Sequence, residues 1–187
     1  MWPWEHLAFA YVLVSGYYRL AWRSRPTDAA AIVIAVGAVL PDLIDKPLAW
    51  GFGVLPAGRS LAHSLLVVVP VLALVVAFGY RSRAPRTAVA FAVATLSHLA
   101  GDVIYPLVVE RELRLGFLFW PIVPAPASDG GSGDLFAQVA ERVGEYLSFL
   151  VTPRGALFLV ADLALVLVAV AVWYHDDMPG LPDRSRP

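Results

Sequence analysis

Thr87-Ala-Val-Ala-Phe-Ala-Val-Ala-Thr-Leu-Ser-His-Leu-Ala-Gly-Asp-Val-Ile-Tyr-Pro-Leu-Val108 is the stretch whose reading decides the fold. Wound as an α-helix at 1.5 Å per residue it reaches about 33 Å, enough to cross the hydrocarbon core of a bilayer. Its only charged or metal-binding side chains, His98 and Asp102, stand four residues apart and share one helix face. Four more apolar segments accompany it, at Glu5–Trp22, Ala29–Trp50, Ser60–Gly79 and Gly155–Tyr174. The expectation is an all-α, polytopic membrane bundle of about five transmembrane helices, forming a single domain over residues 1–187. Composition agrees: 59 % of the residues are hydrophobic and 16 % charged, against about a quarter charged in a soluble domain. Mean hydropathy is +0.68.

Exclusions follow from the same count. A net charge of −1 gives no basic footprint for nucleic acid. With no cysteine in the chain, disulfides, thiolate metal sites and cysteine nucleophiles are ruled out. The N-terminus does not read as a secretory signal, because Arg19, Arg23 and Arg25 follow its apolar stretch instead of preceding it.

Arginine placement orients the spans. Arg19, Arg23 and Arg25 follow the first segment, Arg81, Arg83 and Arg86 separate the third from the fourth, and Arg184 and Arg186 follow the fifth. Five alternating spans put all three groups on one side, which the positive-inside bias makes cytoplasmic. The N-terminus is then outside and the C-terminus inside the cell membrane, with 175–187 a cytoplasmic tail whose His175, Asp176 and Asp177 read as solvated. Residues 110–154 form the only long connection, extracytoplasmic in this topology. Within it, Asp129-Gly-Gly-Ser-Gly-Asp134 reads as a flexible turn; no phosphate-loop Gly-Lys-Ser/Thr follows it. Leu135, Val139, Val143, Tyr146, Leu147 and Leu150 then recur at helical spacing, with Glu141, Arg142 and Glu145 between them. That pattern is an amphipathic helix, lying on the membrane, over the mouth of the bundle, or against neighbouring helices.

Ionisable residues inside membrane helices cost about 2.5–3.5 kcal/mol each on insertion scales, so each calls for a partner or a role. Besides His98 and Asp102, the chain places Asp42 and Asp45 three apart in Leu40-Pro-Asp-Leu-Ile-Asp-Lys-Pro47, and Arg59 and His63 four apart in Gly58-Arg-Ser-Leu-Ala-His-Ser64. His6 begins the first segment. In the five-span topology all of these fall in the outer half of the membrane. His63 lies about 5 Å below the outer end of its span, and His98 and Asp102 lie about 17 and 23 Å from the inner end of theirs. Singly, each has a plain reading: Asp42 beside Pro41 as a helix cap, His98 with Asp102 as a surface hydrogen bond, Arg59 and Lys46 as interfacial anchors. Their meeting in one layer is what points to a site. Asp162, about 10 Å into the fifth span, belongs to the same half and stays outside the set.

Imidazole and carboxylate are the ligands that zinc, manganese and iron accept in cysteine-free sites. The six groups His6, Asp42, Asp45, His63, His98 and Asp102 exceed a closed four-ligand site. Two ions sharing a carboxylate and one ion with outer carboxylates orienting the imidazoles both fit.

Glu5-His-Leu7, Leu40-Pro-Asp42 with Asp45, Arg59 followed by His63-Ser-Leu-Leu66, Leu96-Ser-His98 with Asp102, and Trp120-Pro121 occur in an order that resembles a bacterial family. It is the family of small inner-membrane, metal-dependent hydrolases described as LexA-regulated or LexA-binding, and the likeness spans roughly residues 5–122. Two departures stand out. The second aspartate comes one residue later than in the family's Pro-Asp-x-Asp, giving helical instead of extended spacing, and the Thr before the family's His-Ser is Ala62 here. The resemblance implies a metal site built from His6, the Asp42/Asp45 pair, His63 and the His98/Asp102 pair. It also implies a remote likeness to zinc-dependent phospholipase C and S1-type nucleases.

The functional expectation is metal-assisted hydrolysis of a phosphoester, with a phospholipid or lipid-linked substrate favoured by headgroup depth. His6, Asp42, His63, His98 and Asp102 would bind one or two divalent ions, zinc before manganese or iron. Asp45 would serve as a further ligand or as a base, and Arg59 and Lys46 would hold phosphate oxygens. A non-enzymatic transporter, a metal sensor and a structural metal site are the other readings. Transport is disfavoured by the apolar inner halves of the segments.

Overall fold

The computed structural model describes residues 1–125 and 134–181. Most of the expected glycine turn (129–133) lies outside the described residues, as do Arg184 and Arg186 of the last arginine group. The elements, in order, are α1 (Pro3–Trp22), α2 (Asp28–Lys46), a π-helical turn (Pro47–Gly51), α3 (Leu65–Arg81), α4 (Pro85–Val109), a 3-10 turn (Gly116–Phe119), α5 (Leu135–Leu150) and α6 (Pro153–His175). No strand occurs among the described residues.

Helices form at all five expected apolar segments, and α5 is the amphipathic one. The expectation of about five membrane-crossing helices is corrected, however. Among the described residues only α4 and α6 are long and apolar enough to cross a membrane, and α3 is apolar but has 17 residues. In α2, Asp28, Asp42, Asp45 and Lys46 sit at both ends and break up any fully apolar window. In α1 the diluting residues are Glu5, His6, Ser15, Tyr17, Tyr18 and Arg19.

Two boundaries moved for identifiable reasons. The second segment stops being an α-helix at Lys46, because Pro47 has no N–H to continue the ladder. The chain widens there into the π turn, closed by Phe52 N–H donating to the Pro47 carbonyl at 3.0 Å. The third segment starts at Leu65 instead of Ser60, because the N–H groups of Ser60 and Ala62 donate to a side chain far away in sequence. Ser64 Oγ accepts from Leu66 N–H, 3.2 Å, at the point where α3 begins.

The chain divides into two compact units. The first comprises Met1–Val39, Leu74–His98 and the described residues from Ala164 on. Its core is Ala10, Val14, Tyr18, Ala30, Ile34, Ala38, Ala90 and Ala94. The small side chains let helix backbones approach closely, as between membrane helices generally. Gly37 marks the tightest approach, for a Cβ there would lie 2.9 Å from the Phe91 carbonyl oxygen.

This unit also corrects the expected solvated tail. Asp176 is buried, accepting from the Ser15 hydroxyl at 2.6 Å and the Tyr11 hydroxyl at 3.0 Å and pairing with Arg19. Asp177 pairs with Arg25, and Asp28 accepts from Gly180 N–H. His175 and Asp177 are exposed as the solvated reading expects, so within the trio only Asp176 departs from it.

The second unit comprises Leu40–Ala73 and Leu99–Leu163. It holds the C-terminal turns of α2, the loop that leads into α3, the last turns of α4, the 3-10 turn and α5. Within it α5 packs against the π turn.

Candidate metal centre

The acidic end of α2 organises the second unit. Asp42 and Asp45, three residues apart, are both buried, Asp45 completely. Asp45 accepts from Ser60 N–H at 2.8 Å and from Ala62 N–H at 2.9 Å, which fastens the loop before α3 onto α2. It also lies 2.8 Å from His63 Nδ1. An ionised carboxylate can only accept, so Nδ1 carries the proton and His63 presents Nε2 as its electron-pair donor. That nitrogen stands 3.5 Å from Asp42 Oδ1 and 3.5 Å from Asp102 Oδ2. Burial pulls the His63 imidazole toward neutrality, but the Asp102, Asp42 and Asp45 carboxylates around it outweigh that and raise its pKa, so a bound cation would take the place of a proton on Nε2.

Two cations stand beside the carboxylates. Lys46 Nζ is 2.6 Å from Asp42 Oδ2, and Arg59 Nε is 3.8 Å from Asp102 Oδ2. Their side chains are 30 % and 33 % exposed, so both reach the surface. Phe117 of the 3-10 turn lies beneath Arg59, with its ring 5.7 Å from the guanidinium carbon, and edge-on to His63 at 6.1 Å. Ser64 Oγ donates to the Trp120 carbonyl and so ties the aromatic segment to the same loop.

His98 precedes Asp102 by one turn of α4. Its Nδ1 is 2.7 Å from the Ala38 carbonyl oxygen, which can only accept, so this imidazole also presents Nε2. The His6 ring stacks on it at 3.8 Å, with 18° between planes. Asp42, His63, His98 and Asp102, all buried, each offer a donor atom within 4.8 Å of the others, and this group could hold a metal ion.

The donor set fits a divalent cation on three counts. Zinc takes carboxylate oxygen and imidazole nitrogen at about 2.0–2.2 Å, so adjacent ligands of a tetrahedron lie about 3.3–3.5 Å apart, near the 3.5 Å separations at His63 Nε2. Each histidine has its other ring nitrogen bonded to an oxygen, as metal-ligating histidines almost always do. Finally, two buried carboxylates converging on one imidazole nitrogen are costly without positive charge between them.

Of the residues singled out in the sequence, Asp42, His63, His98 and Asp102 come together. Asp45 stands behind His63, Lys46 and Arg59 stand at the rim, and His6 lies against His98 outside the group of four. Asp162 is buried in α6 and is not one of the four. His63 sits in the turn before α3 and not inside a helical span. Sequence reading missed the Ala38 carbonyl and the Ser60 and Ala62 amides, for backbone groups leave no residue-type signal. It also missed Phe117, for which the aromatic patch before Trp120 was a usable hint.

No curated protein and no solved structure matches the chain. A family model described as YdjM inner membrane protein matches residues 1–176, and the chain belongs to that family of inner-membrane proteins.

Proposed function

We propose that this chain is a membrane-bound, metal-dependent hydrolase of phosphoesters, acting on phospholipid or lipid-linked substrates. The observation that carries the reading is the buried Asp42/His63/His98/Asp102 group with a partly exposed lysine and arginine beside it. When bound, a divalent ion (zinc before manganese or iron) polarises a phosphoryl oxygen and makes water a usable nucleophile at neutral pH. The chain's own residues supply the rest. Asp45 and the Ala38 carbonyl hold the two imidazoles in the tautomer that binds metal. Arg59 and Lys46, cationic and partly exposed, hold phosphate oxygens, with Arg59 able to do so bidentately. Phe117 walls His63 from water.

The same reading puts the N-terminus outside the cell membrane and the site toward its extracytoplasmic face. The arginine-rich loops at Arg19–Arg25 and Arg81–Arg86 support it. A structural metal site is the second reading. It is favoured by the bonding of Lys46 and Arg59 to Asp42 and Asp102, which is also what a closed site needs.

Hydrolysis of a panel of phospholipids and lipid-linked phosphoesters by wild type, Arg59→Gln and Asp102→Ala separates the two. The enzyme reading expects metal-dependent turnover, lowered at least tenfold by Arg59→Gln with metal content kept and abolished by Asp102→Ala. No turnover by metal-loaded wild type on any member of the panel, or turnover indifferent to Asp102→Ala, would count against it.

A further inference from the structure

The helix α5 carries two different exposed faces. Phe136, Ala140, Val143 and Leu147 recur at spacings of four, three and four and form one stripe. Phe136 is 85 % exposed and Leu147 58 %. About 16 Å of helix separates those two side chains. The other exposed face carries Ala137, Glu141, Gly144, Glu145 and Ser148.

We propose that α5 lies in the headgroup–acyl boundary of the bilayer, its Phe136–Leu147 stripe against the acyl chains, held by apolar burial and not by charge. The occupant of this face follows from what α5 is joined to. It ends at Leu150, and Pro153 begins α6, one of the two helices long and apolar enough to cross a membrane. The connecting residues span no more than about 11 Å fully extended. The apolar exposure also continues through the junction, with Val151 at 87 % and Leu157 at 74 %. At its other end α5 is fixed to protein, with Leu135 Cβ 3.9 Å from where a Cβ on Gly51 would stand. A helix tied to a membrane-crossing helix at one end, within an inner-membrane family, meets lipid at the interface before it meets any other partner.

Charge decides how it is held. Interfacial helices that seek anionic lipid carry lysines and arginines on the polar face. Here that face carries Glu141 and Glu145, and the nearby Arg142 is paired with Glu145 at 3.1 Å. Anionic headgroups therefore offer α5 no net attraction.

Because the chain has no cysteine, single-cysteine variants of the full-length protein report on this directly. Spin labels go at Phe136→Cys, Val143→Cys and Leu147→Cys on one face and at Ala137→Cys, Glu141→Cys and Ser148→Cys on the other. These side chains are exposed or half-exposed, so the labels displace no core residue. The protein is placed in vesicles of phosphatidylethanolamine and phosphatidylglycerol, and accessibility to oxygen and to a water-soluble nickel chelate is read by power saturation. The first three positions should favour oxygen and the second three nickel, with a helical period. That contrast should survive replacement of phosphatidylglycerol by phosphatidylcholine and a rise in salt. Nickel access on both faces would mean a helix standing in water. Exclusion of both reagents from the stripe would mean a protein partner such as a second copy. Loss of the contrast without anionic lipid would mean electrostatic docking, and each of these three results overturns the proposal.

Discussion

Asp45 and Asp42 are the same residue type three positions apart, yet they do different work. Both oxygens of Asp45 are engaged by the amides of Ser60 and Ala62 and by His63 Nδ1, whereas Asp42 faces His63 Nε2 and the Lys46 ammonium. The sequence sets Asp45 apart only as a further ligand or a base, because what fixes its role is backbone amides 15 and 17 residues away. Asp45 is therefore a positioning residue in this geometry. Asp45→Asn should leave the protein folded and able to take up metal, with affinity about 10–100-fold weaker by titration calorimetry, the usual cost of removing an outer carboxylate from a ligating histidine. His63→Ala, which removes a donor, should abolish stoichiometric uptake. Equal, wild-type affinity in the Asp45→Asn protein would assign Asp45 no part in orienting His63. The four donors themselves were legible as residue types at helical spacing. That His6 stacks on His98 instead of joining the group was not, since ring orientation depends on packing.

Among the elements, the loop between the π turn and α3 does most to build the site, and it was the least legible. Apolarity over Ser60–Gly79 suggested an uninterrupted helix, but the amides of Ser60 and Ala62 find a better acceptor in the Asp45 carboxylate than in a helix carbonyl. The same loop passes flat over Trp50, so that a Cβ on Gly58 would lie 2.8 Å from the indole ring. Gly58→Ala should accordingly destabilise the protein by about 1–3 kcal/mol, the range for overpacking a filled site. Thermal unfolding in detergent checks it, and an unchanged Tm would mean that the loop and Trp50 separate freely. The helices at the five apolar segments and the amphipathic α5 were legible, because periodicity and length report on local structure. The number of spans was less so, for a segment such as α2 can be helical throughout and still carry Asp28, Asp42, Asp45 and Lys46.

At the scale of the molecule, the chain's ends show how polar residues stabilise an alanine-rich bundle. Asp176 gathers Tyr11, Ser15 and Arg19, binding the end of α6 to α1. Sequence alone made it part of a solvated tail, because its partners are more than 150 residues away. Asp176→Ala leaves the buried Ser15 hydroxyl and the Tyr11 hydroxyl without that acceptor. It should cost about 1–3 kcal/mol in detergent unfolding while leaving metal content unchanged. A fall in metal content alongside stability would show that the lock and the metal centre are coupled. The metal centre itself is most directly tested by elemental analysis of purified, folded protein, wild type beside His98→Ala. The expected result is a stoichiometric divalent metal in the wild type and its loss in the variant. Well-folded wild type without metal, and unable to bind any on addition of zinc, manganese or iron, would contradict it.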